Sequence, residues 1–242
     1  MSNLEISVIL STFERPGHLA RSLASLAAQR GVAGKFEVVV TDDGSRDDTP
    51  EVVARFADDA PFPVRFLTHP HRGFQLAACR NQGVRNAVAP YLLFSDGDCI
   101  FPPDHLRQHL AARRRGVVRA GDSVLLDRVV SEQIDAASIR SGDCWTAIPF
   151  RARRRIGQLH RKALFYQWTR HPTKPKLVGN NMGVWREQME RINGFDQQYR
   201  GWGCEDDDLA ARLRRAGYAI RSVLGHTHAY HLWHPPHATT PS

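Results

Sequence analysis

The sequence predicts an α/β fold in which a mostly parallel central sheet is flanked by helices in a single domain. Short apolar segments, rich in β-branched residues, occur at 5–10, 36–41, 64–68 and 91–95. Segments with helical periodicity lie between them, and this alternation is typical of βαβ units. Because the strand segments are apolar throughout rather than alternating, we expect helices to cover the sheet on both faces.

The predicted helices of the first half follow the strands in order. Pro16 starts one that ends near Gly31, since proline is well tolerated in a first helical turn. A second predicted helix ends near Asp59, and a third spans 73–87. A fourth runs from Pro103 to about Arg115.

The second half of the chain is less regular. The segment 116–128 suggests further strands, and 151–170 has the spacing of a basic amphipathic helix with Ile156, Leu159, Ala163 and Tyr166 on one face. We expect a strand over 176–186, a short helix over 187–192, and a helix from the acidic run at 205–208 to about 217. We therefore divide the chain into 1–115, 116–234 and a tail, 235–242.

The composition fits a globular protein. The chain has 242 residues, of which 42% are hydrophobic, enough for a sizeable core. No run of about 18 apolar residues occurs, so we expect no membrane span. The N-terminus has no basic and apolar signal pattern, which predicts a cytoplasmic location. The four cysteines are far apart and form no CxxC motif, which argues against a zinc site and a disulfide framework.

The basic charge is concentrated in one segment. The net charge is +8, but no Asp or Glu occurs between Cys144 and Arg186, where ten Lys and Arg residues lie. Removing those ten from the 33 basic residues leaves 23 against 25 acidic ones. Such a segment suits nucleic acid, anionic lipid or a negatively charged substrate, or is simply a solvated helix face.

Polar loops follow three of the predicted strands. Asp96, Gly97 and Asp98 come directly after the strand at 91–95. Two aspartates one residue apart, on a turn that Gly97 permits, can present oxygens to Mg²⁺ or Mn²⁺. A plain acidic turn is the alternative.

The other two loops carry further polar side chains. Thr12 and Glu14 follow the first strand, and Asp42, Asp43 and Ser45 follow the second. The latter three can bind a nucleobase or ribose, or can cap the next helix. Ligands of parallel α/β sheets bind at the carboxyl ends of strands, which is where all three loops are expected.

Other candidates lie in helical or C-terminal segments. Arg80 is a nucleotide contact or an ordinary surface arginine. Glu205, Asp206, Asp207 and Asp208 can include a proton acceptor or can only stabilise a helix N-terminus. Trp202 suits a sugar platform or a core position. The histidines are metal ligands or a solvated tail: His226, His228, His231, His234 and His237.

The order of these motifs resembles the family-two inverting glycosyltransferases, which have the GT-A fold. The motifs are STFER, VVVTDDGS, GFQLAACRN, LLFSDGD, NNMGVWREQMERINGFDQQYRGWGCEDDDLAARL and HLWH. The second half is similar to catalytic domains of the β-1,4-galactosyltransferase and chondroitin-synthase type, which share Gly-Phe-Asp, Gly-Trp-Gly and Glu-Asp-Asp. The resemblance covers about Ile6 to His234.

The resemblance implies residue roles. It makes 1–115 the donor half, where Thr12, Glu14, Asp42 and Arg80 would bind the nucleotide of a UDP-sugar. Asp96 and Gly97 would approach the ribose or the metal. The Mn²⁺ or Mg²⁺ ligands would be Asp98 and His231, with His234 the second choice.

It also makes 116–234 the acceptor and catalytic half. Asp206 would be the general base and Glu205 would bind sugar hydroxyls. Trp202 and Asp207 would contact the acceptor. Cys204 departs from the pattern, which often has a small glycine there, and Gln75 stands where a basic residue is expected. The segment 151–176 matches nothing in the pattern.

The activity implied is transfer of a hexose or N-acetylhexosamine, of galactose or GalNAc type, to a glycan or lipid-linked saccharide with formation of a β-linkage. A sugar nucleotidyltransferase would use the same strand-end carboxylates without the Gly-Trp-Gly motif. A non-catalytic basic binding module is the third reading. We expect no nucleic acid partner, because the carboxylates would repel phosphates, and consider peripheral contact of 151–176 with anionic membrane.

Overall fold

The computed structural model describes residues 3–199 and 204–235. The strands in these ranges are β1 (Ile6–Thr12), β2 (Phe36–Asp42), β3 (Val64–Thr68), β4 (Tyr91–Asp96), β5 (Cys99–Ile100), β6 (Val117–Ala120), β7 (Ser123–Leu125), β8 (Met182–Trp185), β9 (Ala219–Ser222) and β10 (Ala229–His231).

The helices in the same ranges are α1 (Pro16–Ala27), α2 (Thr49–Asp58), α3 (Leu76–Asn86), α4 (His105–Ala112), α5 (Arg128–Gln133), α6 (Ala136–Ser141), α7 (Cys144–Ala147), α8 (Phe150–Trp168), α9 (Arg186–Arg191) and α10 (Glu205–Arg215).

A seven-stranded sheet has the order β3-β2-β1-β4-β8-β6-β9. The strands β1 to β4 are mutually parallel where they pair, and β8 is antiparallel to both of its neighbours. The sheet combines strands from 1–115 and from 116–234, so the predicted single α/β domain with a mostly parallel sheet is confirmed. The division at 115 as a division of tasks stays a prediction.

The register of the parallel strands brings the polar loops together. Thr12 of β1 lies opposite Asp42 of β2, and Ser11 lies opposite Asp96 of β4. All three strands therefore end at the same edge of the sheet, where side chains from distant parts of the sequence become neighbours.

A small second sheet has the order β5-β10-β7. Its strand β10 is antiparallel to β5, with His231 opposite Cys99. This pairing places the C-terminal histidines next to Asp98, which immediately precedes β5. The link is tertiary, since the paired residues Cys99 and His231 are 132 positions apart in the chain.

Apolar side chains cover both faces of the large sheet because successive strand residues point to opposite sides. Val8, Leu10 and Val38 pack with α1 on one face. Ile9 and Val39 pack on the other face with Leu209 and Leu213 of α10. The acidic run is thus the first turn of a helix whose apolar side is anchored in the core, as predicted.

The region before β8 differs from the expected strand over 176–186, because regular pairing begins only at Met182. Asn181 accounts for part of the difference. Its carbonyl accepts from Gly121 N–H, and its side chain bonds His109 and the Asp122 carbonyl. Loop and side-chain partners therefore satisfy this backbone in place of a neighbouring strand.

The predicted basic helix is confirmed as α8. Ala152, Ile156 and Ala163 form its buried side, while the aromatic side chains of Phe165 and Trp168 are exposed. Within the described ranges, no helix has the length and apolarity needed to traverse a bilayer.

Candidate active site

A cavity of about 430 Å³ opens at the carboxyl ends of β1 and β4. Seven of the candidate residues named from the sequence line it: Thr12, Asp43, Asp96, Gly97, Asp98, His231 and His234. Gly97 is required by close approach, because a Cβ there would lie 3.1 Å from the Thr12 side chain and 3.2 Å from the Ser11 carbonyl oxygen. The polar loops therefore form one concave site.

Asp98 is the centre of the first group of charges. Its carboxylate oxygens lie 3.3 Å from His231 Nε2 and 3.2 Å from His234 Nε2. In both histidines Nδ1 contacts a backbone carbonyl oxygen, of Leu232 and Pro235 respectively. Each Nε2 can therefore donate to Asp98 when the ring is protonated, or bind a cation when Nδ1 alone carries the proton, the arrangement common in metal-ligating histidines.

The residues of this group fit a divalent cation. Asp98, His231 and His234 each offer a ligand atom, and these atoms all lie within 4.8 Å of one another. One carboxylate and two imidazoles suit Mn²⁺ and related ions. The sequence favours His231 over His234 as a ligand, whereas the structure brings both to Asp98.

Arg15 is a further neighbour of Asp98 that sequence reasoning missed. Its Nη1 donates to Asp98 Oδ2 at 2.9 Å. Burial alone would raise the pKa of Asp98, but hydrogen bonding from His234 and the charges of His231 and Arg15 lower it to about 2. Asp98 is therefore a carboxylate across the physiological range, as a cation ligand must be. The signal for Arg15 was its place at the end of the STFER motif.

Asp42 and Glu14 do not line the cavity. Asp42 is fully buried, and its oxygens accept from the backbone N–H groups of Gly44 and Ser45 and from the hydroxyls of Ser45 and Thr68. Asp42 therefore stabilises the loop after β2. This role is closer to the helix-capping alternative than to nucleotide binding. Glu14 is exposed and contributes its backbone N–H to the Ser45 hydroxyl.

Asp43 lines the cavity in place of Asp42. It is 4% exposed and accepts a hydrogen bond from Gln75 N–H at 3.0 Å. Gln75 thus faces this site with its backbone N–H. The sequence did not distinguish the two adjacent aspartates, since only the bend after β2 decides which carboxylate turns inward.

Arg80 is the centre of a second group of charges. It is only 2% exposed, which excludes the surface-arginine alternative. Its Nη1 donates to Asp206 Oδ1 at 3.0 Å and lies 3.6 Å from a Glu205 oxygen, while Nη2 donates to Asp96 at 3.3 Å. One guanidinium therefore joins a carboxylate of β4 to two carboxylates of α10.

Asp206 is held from two directions. Besides Arg80, the backbone N–H of Gly179 donates to its Oδ2 at 2.8 Å. A Cβ on residue 179 would lie 2.0 Å from Arg80 Nη2, so glycine is required there. The Asp206 side chain nevertheless remains 22% exposed, which leaves its carboxylate accessible to a substrate. The role of Gly179 was not predicted from the sequence.

The other two carboxylates of the acidic run also make ion pairs, one exposed and one partly buried. Asp207 pairs with Lys176 at 2.8 Å, and Asp208 pairs with Arg212 one turn along α10. Cys204 before the helix has φ 70°, a conformation that glycine adopts without strain. Cys204, which stands where the resembling family often has glycine, therefore has a left-handed backbone conformation. Trp202 lies outside the described residues.

Asp96 lies between the two groups. Burial raises its pKa, Arg80 opposes the rise, and the nearby charge of Asp98 adds to it. The strand-end turn therefore contains carboxyl groups with opposite shifts, which is typical of sites with divided chemical tasks. The arrangement can hold a cation at Asp98 and accept a proton at Asp206.

Solved structures define the class of fold. A mannosyltransferase, PcManGT from Pyrobaculum calidifontis, in complex with GDP-Man and Mn²⁺, matches 97% of this chain and 58% of its own with a TM-score of 0.67 and 20% identity. S. aureus TarS 1–349 with UDP-GlcNAc matches 96% and 60% with a TM-score of 0.66 and 15% identity. The architecture is the GT-A glycosyltransferase fold.

The family follows from sequence comparison. The model of glycosyl transferase family 2 matches residues 7–170, about two thirds of the chain, and the N-terminal domain of galactosyltransferase matches residues 159–235. The chain therefore belongs to glycosyl transferase family 2, and the resemblance seen in the sequence motifs is confirmed.

Curated relatives support the same family. Validoxylamine A glucosyltransferase of Streptomyces hygroscopicus is 30% identical over 235 residues, covering 88% of this chain and 52% of the relative. Chondroitin synthase of Escherichia coli is 27% identical over 241 residues, covering 93% and 34%. The chain thus spans about half and one third of the length of these two relatives.

Proposed function

We propose that the protein is a metal-dependent inverting glycosyltransferase that moves a hexose or N-acetylhexosamine from a UDP-sugar to a saccharide acceptor. The observation that carries the proposal is the convergence of Asp98, His231 and His234 on a cavity whose Asp96 is joined through Arg80 to Asp206. Cation ligands and a candidate base are thereby held on one framework.

In this proposal Asp206 accepts the proton of an acceptor hydroxyl. The resulting oxygen attacks the anomeric carbon, and the bond from that carbon to the diphosphate breaks with its electron pair on the diphosphate. One such displacement turns an α-linked donor into a β-linked product. Gly179 and Arg80 support the role because they fix both Asp206 oxygens without closing the carboxylate off.

Asp98, His231 and His234 would hold Mn²⁺ or Mg²⁺ next to the donor. A cation there would neutralise the charge that develops on the departing diphosphate. Thr12 and Gly97 line the same cavity and would contact the donor. The Mn²⁺ named with the mannosyltransferase complex supports the metal.

The donor sugar is proposed as a class, on the basis of the comparisons. The galactosyltransferase match over 159–235 favours a galactose or GalNAc donor, and the UDP-GlcNAc complex of TarS supports UDP as the nucleotide. Glu205 would bind sugar hydroxyls, and Trp202 and Asp207 would contact the acceptor. The family match favours sugar transfer over the nucleotidyltransferase and binding-module alternatives.

Nucleotide binding tests the proposal directly. UDP with Mn²⁺ should raise the melting temperature, because a ligand at about 100 times its Kd adds about 2.7 kcal/mol to the free energy of unfolding. Asp98→Asn should lose the part of the shift that depends on metal. Stabilisation by GDP and not by UDP would contradict the donor assignment, and stabilisation by no nucleotide would contradict the proposed function.

We also propose that α8 docks on an anionic membrane surface. Trp168, Phe165 and Leu164 are 82%, 56% and 48% exposed on a helix that carries basic residues and no acidic ones. Exposed aromatic and basic side chains together suit a lipid interface. A lipid-linked or anionic acceptor would then be presented at this surface.

Vesicle co-sedimentation tests the docking surface. Binding to phosphatidylglycerol vesicles should exceed binding to phosphatidylcholine vesicles, since each basic residue near an anionic surface adds about 1 kcal/mol. Trp168→Ala should weaken binding, whereas Val88→Ala, at an exposed apolar residue distant in sequence, should not. Equal binding to both kinds of vesicle would count against the surface.

A further inference from the structure

A second cavity, of about 440 Å³, lies between β7 and the first turns of α8, and its lining residues differ from those of the cavity at Asp98. This volume is within the range of ligand pockets, about 300–1,000 Å³. The apolar part of the lining comes from three separate segments: Val124, Leu125, Leu126, Pro149, Ala152 and Trp233. The polar part is Asp127, Arg151 and Arg155. The basic segment of the chain therefore contributes two guanidinium groups to a concave, mostly apolar surface.

Trp233 places this cavity next to the candidate cation ligands. It lies between His231 and His234, whose side chains line the first cavity, while Trp233 lines the second. The backbone of Trp233 is fixed on both sides, because its N–H donates to Ser131 Oγ at 2.8 Å and its carbonyl oxygen lies 3.0 Å from His18 Nε2. One segment of the chain therefore separates the two cavities and faces both.

β7 links the same cavity to the candidate base. Ser123, the first residue of β7, accepts a hydrogen bond from Asn180 Nδ2 at 2.8 Å. Asn180 follows Gly179, whose backbone N–H donates to Asp206. Leu125, the last residue of β7, lines the cavity. Since a strand advances about 3.3 Å per residue, Leu125 lies about 7 Å along the strand from the residue that contacts the Asp206 loop.

The two arginines of the cavity differ in what balances their charge. Arg151 forms a salt bridge with Asp127. Arg155 donates to the uncharged amide oxygen of Gln158 at 3.5 Å, and no carboxylate of the residues that the structure describes lies within salt-bridge distance of it. The exposed guanidinium of Arg155 is therefore available to an external anion. Carboxylate and phosphate groups match the planar fork of donors that an arginine presents.

The apolar lining suits the ring of a sugar. Leu125 is 64% exposed, although its neighbours Val124 and Leu126 are buried. The Arg128 guanidinium carbon lies 5.2 Å from the centre of the Trp233 ring, and this cation–π contact brings a further positive charge to the cavity. The side of a sugar ring that carries C–H groups is apolar, so aromatic and aliphatic side chains can pack against it.

We propose that this cavity binds the saccharide acceptor at a unit beyond the one that reacts, and that this unit carries a carboxylate or phosphate group. Trp233 and Leu125 pack against its sugar ring, and Arg155 pairs with its anionic group. The reacting hydroxyl of the same acceptor lies at Asp206, towards the other end of β7. As an acceptor site the assignment rests on the proposed transferase function, but binding of an anionic saccharide can be measured without it.

Titration of the full chain in the absence of metal and nucleotide tests the site, with calorimetry and tryptophan fluorescence as readouts. One pair of probes is an oligosaccharide of alternating glucuronate and N-acetylglucosamine and the same oligosaccharide with its carboxyl groups reduced to alcohols. The other pair is a maltooligosaccharide with and without a phosphate group. The charged form of at least one pair should bind at least about threefold more tightly than the neutral form, because it adds an ion pair. The pair with the larger ratio identifies the anionic group as carboxylate or phosphate.

Single substitutions locate the binding. Arg155→Gln should remove the preference for the charged form. Arg154→Gln is the matched control, because it removes the same charge from the adjacent exposed position, which does not line the cavity, and it should keep the preference. The chain has five tryptophans, so loss of the fluorescence change in Trp233→Phe would assign that change to Trp233. Equal losses in both arginine variants, or a fluorescence change that persists in Trp233→Phe, would overturn the assignment.

The result can be separated from that of the proposed function. If UDP with Mn²⁺ stabilises the protein but charged and neutral saccharides bind equally, the acceptor site is overturned and the transferase function stands. If a charged saccharide binds through Arg155 and no nucleotide stabilises the protein, the transferase function is contradicted and the cavity remains a site for anionic saccharides. Absence of binding by both charged probes also overturns the proposal.

Discussion

The two charge groups at the carboxyl edge of the sheet differ in what balances their carboxylates. Around Asp98, two histidine nitrogens and a carboxylate converge on a cavity, with Arg15 on one side. Around Asp206, the buried Arg80 already supplies the positive charge. The first group can take up a cation from outside, whereas the second is balanced by the protein itself.

This difference suggests separate tasks. A group that takes up a cation depends on metal concentration, whereas an internally balanced carboxylate is positioned by folding alone. Asp96 connects the two groups because it is the last residue of β4, two positions before Asp98, and accepts a hydrogen bond from Arg80. The comparison leads to three predictions, in which the two groups respond differently to substitution and pH.

The largest effect is expected for Asp206→Asn. Removing a proton acceptor should lower the rate of sugar transfer by about 10²–10⁴-fold. UDP affinity in the presence of Mn²⁺ should change little, because the cation ligands belong to the other group. The measurements are UDP release during transfer and calorimetric UDP binding.

Asp208→Asn is the matched control, since it is the same substitution two residues further along α10 in a pair with Arg212. It should retain most of the activity. Wild-type transfer by Asp206→Asn would remove that residue as the base, and loss of UDP binding in the same variant would show that the two groups are not separate.

The next effect concerns stability. Arg80→Met removes the partner of three carboxylates from a position that is 2% exposed. Breaking a buried ion pair on one side typically costs about 3–5 kcal/mol, because the remaining charge loses its partner. Urea denaturation should show a loss of unfolding free energy of this size.

Lys176→Met provides the contrast within the same acidic run. Lys176 and its partner Asp207 are 53% and 55% exposed, and such surface pairs contribute about 0–1 kcal/mol. Similar losses for both variants would contradict the conclusion that Arg80 is the internal balancing charge.

The smallest effect per residue is expected from acid. It concerns a third set of titrating residues, apart from both charge groups. Burial lowers the pKa of His109 and of His228 to about 4, so both are neutral in the folded protein. An unfolded histidine titrates near 6.5, so between about pH 6.5 and 4 the unfolded chain binds more protons. Stability is therefore full above about pH 6.5 and is lost as the pH falls towards 4.

The expected loss is about 3 kcal/mol per histidine, since the shift from 6.5 to about 4 is about 2.5 pKa units and one unit corresponds to about 1.4 kcal/mol. Denaturation midpoints at several pH values would measure it. His109→Gln should flatten the dependence, and Lys176→Met should leave it in place over this window, because pairing with Asp207 raises the pKa of Lys176 above its usual value near 10.5. An unchanged slope in His109→Gln would exclude that residue as a cause.

Much of the fold could be predicted because its strands and helices have strong local patterns. The apolar runs of β1, β2 and β4 and the periodicity of α1 and α8 appear directly in the sequence. The short helices over 128–147 and the late start of β8 were not predicted, since non-local partners determine them. Asn181, for example, bonds residues near 109 and 121.

The candidate site was predicted in part. Asp96, Gly97 and Asp98 follow a strand, and a strand end is a local feature, so their place at the cavity could be anticipated. Asp43 in place of Asp42, the contact of Gly179 with Asp206, and Arg15 beside Asp98 could not, because each depends on how separate segments meet.

By itself, the sequence determined the α/β class, the order of the strand-end motifs and the family that those motifs resemble. Only the tertiary structure decided which charges become partners. Local patterns follow from side-chain periodicity within a few residues. The pairing of Arg80 with Asp206, and of Asp98 with His231 and His234, depends on sheet order and β10 register, which bring together residues more than 120 positions apart.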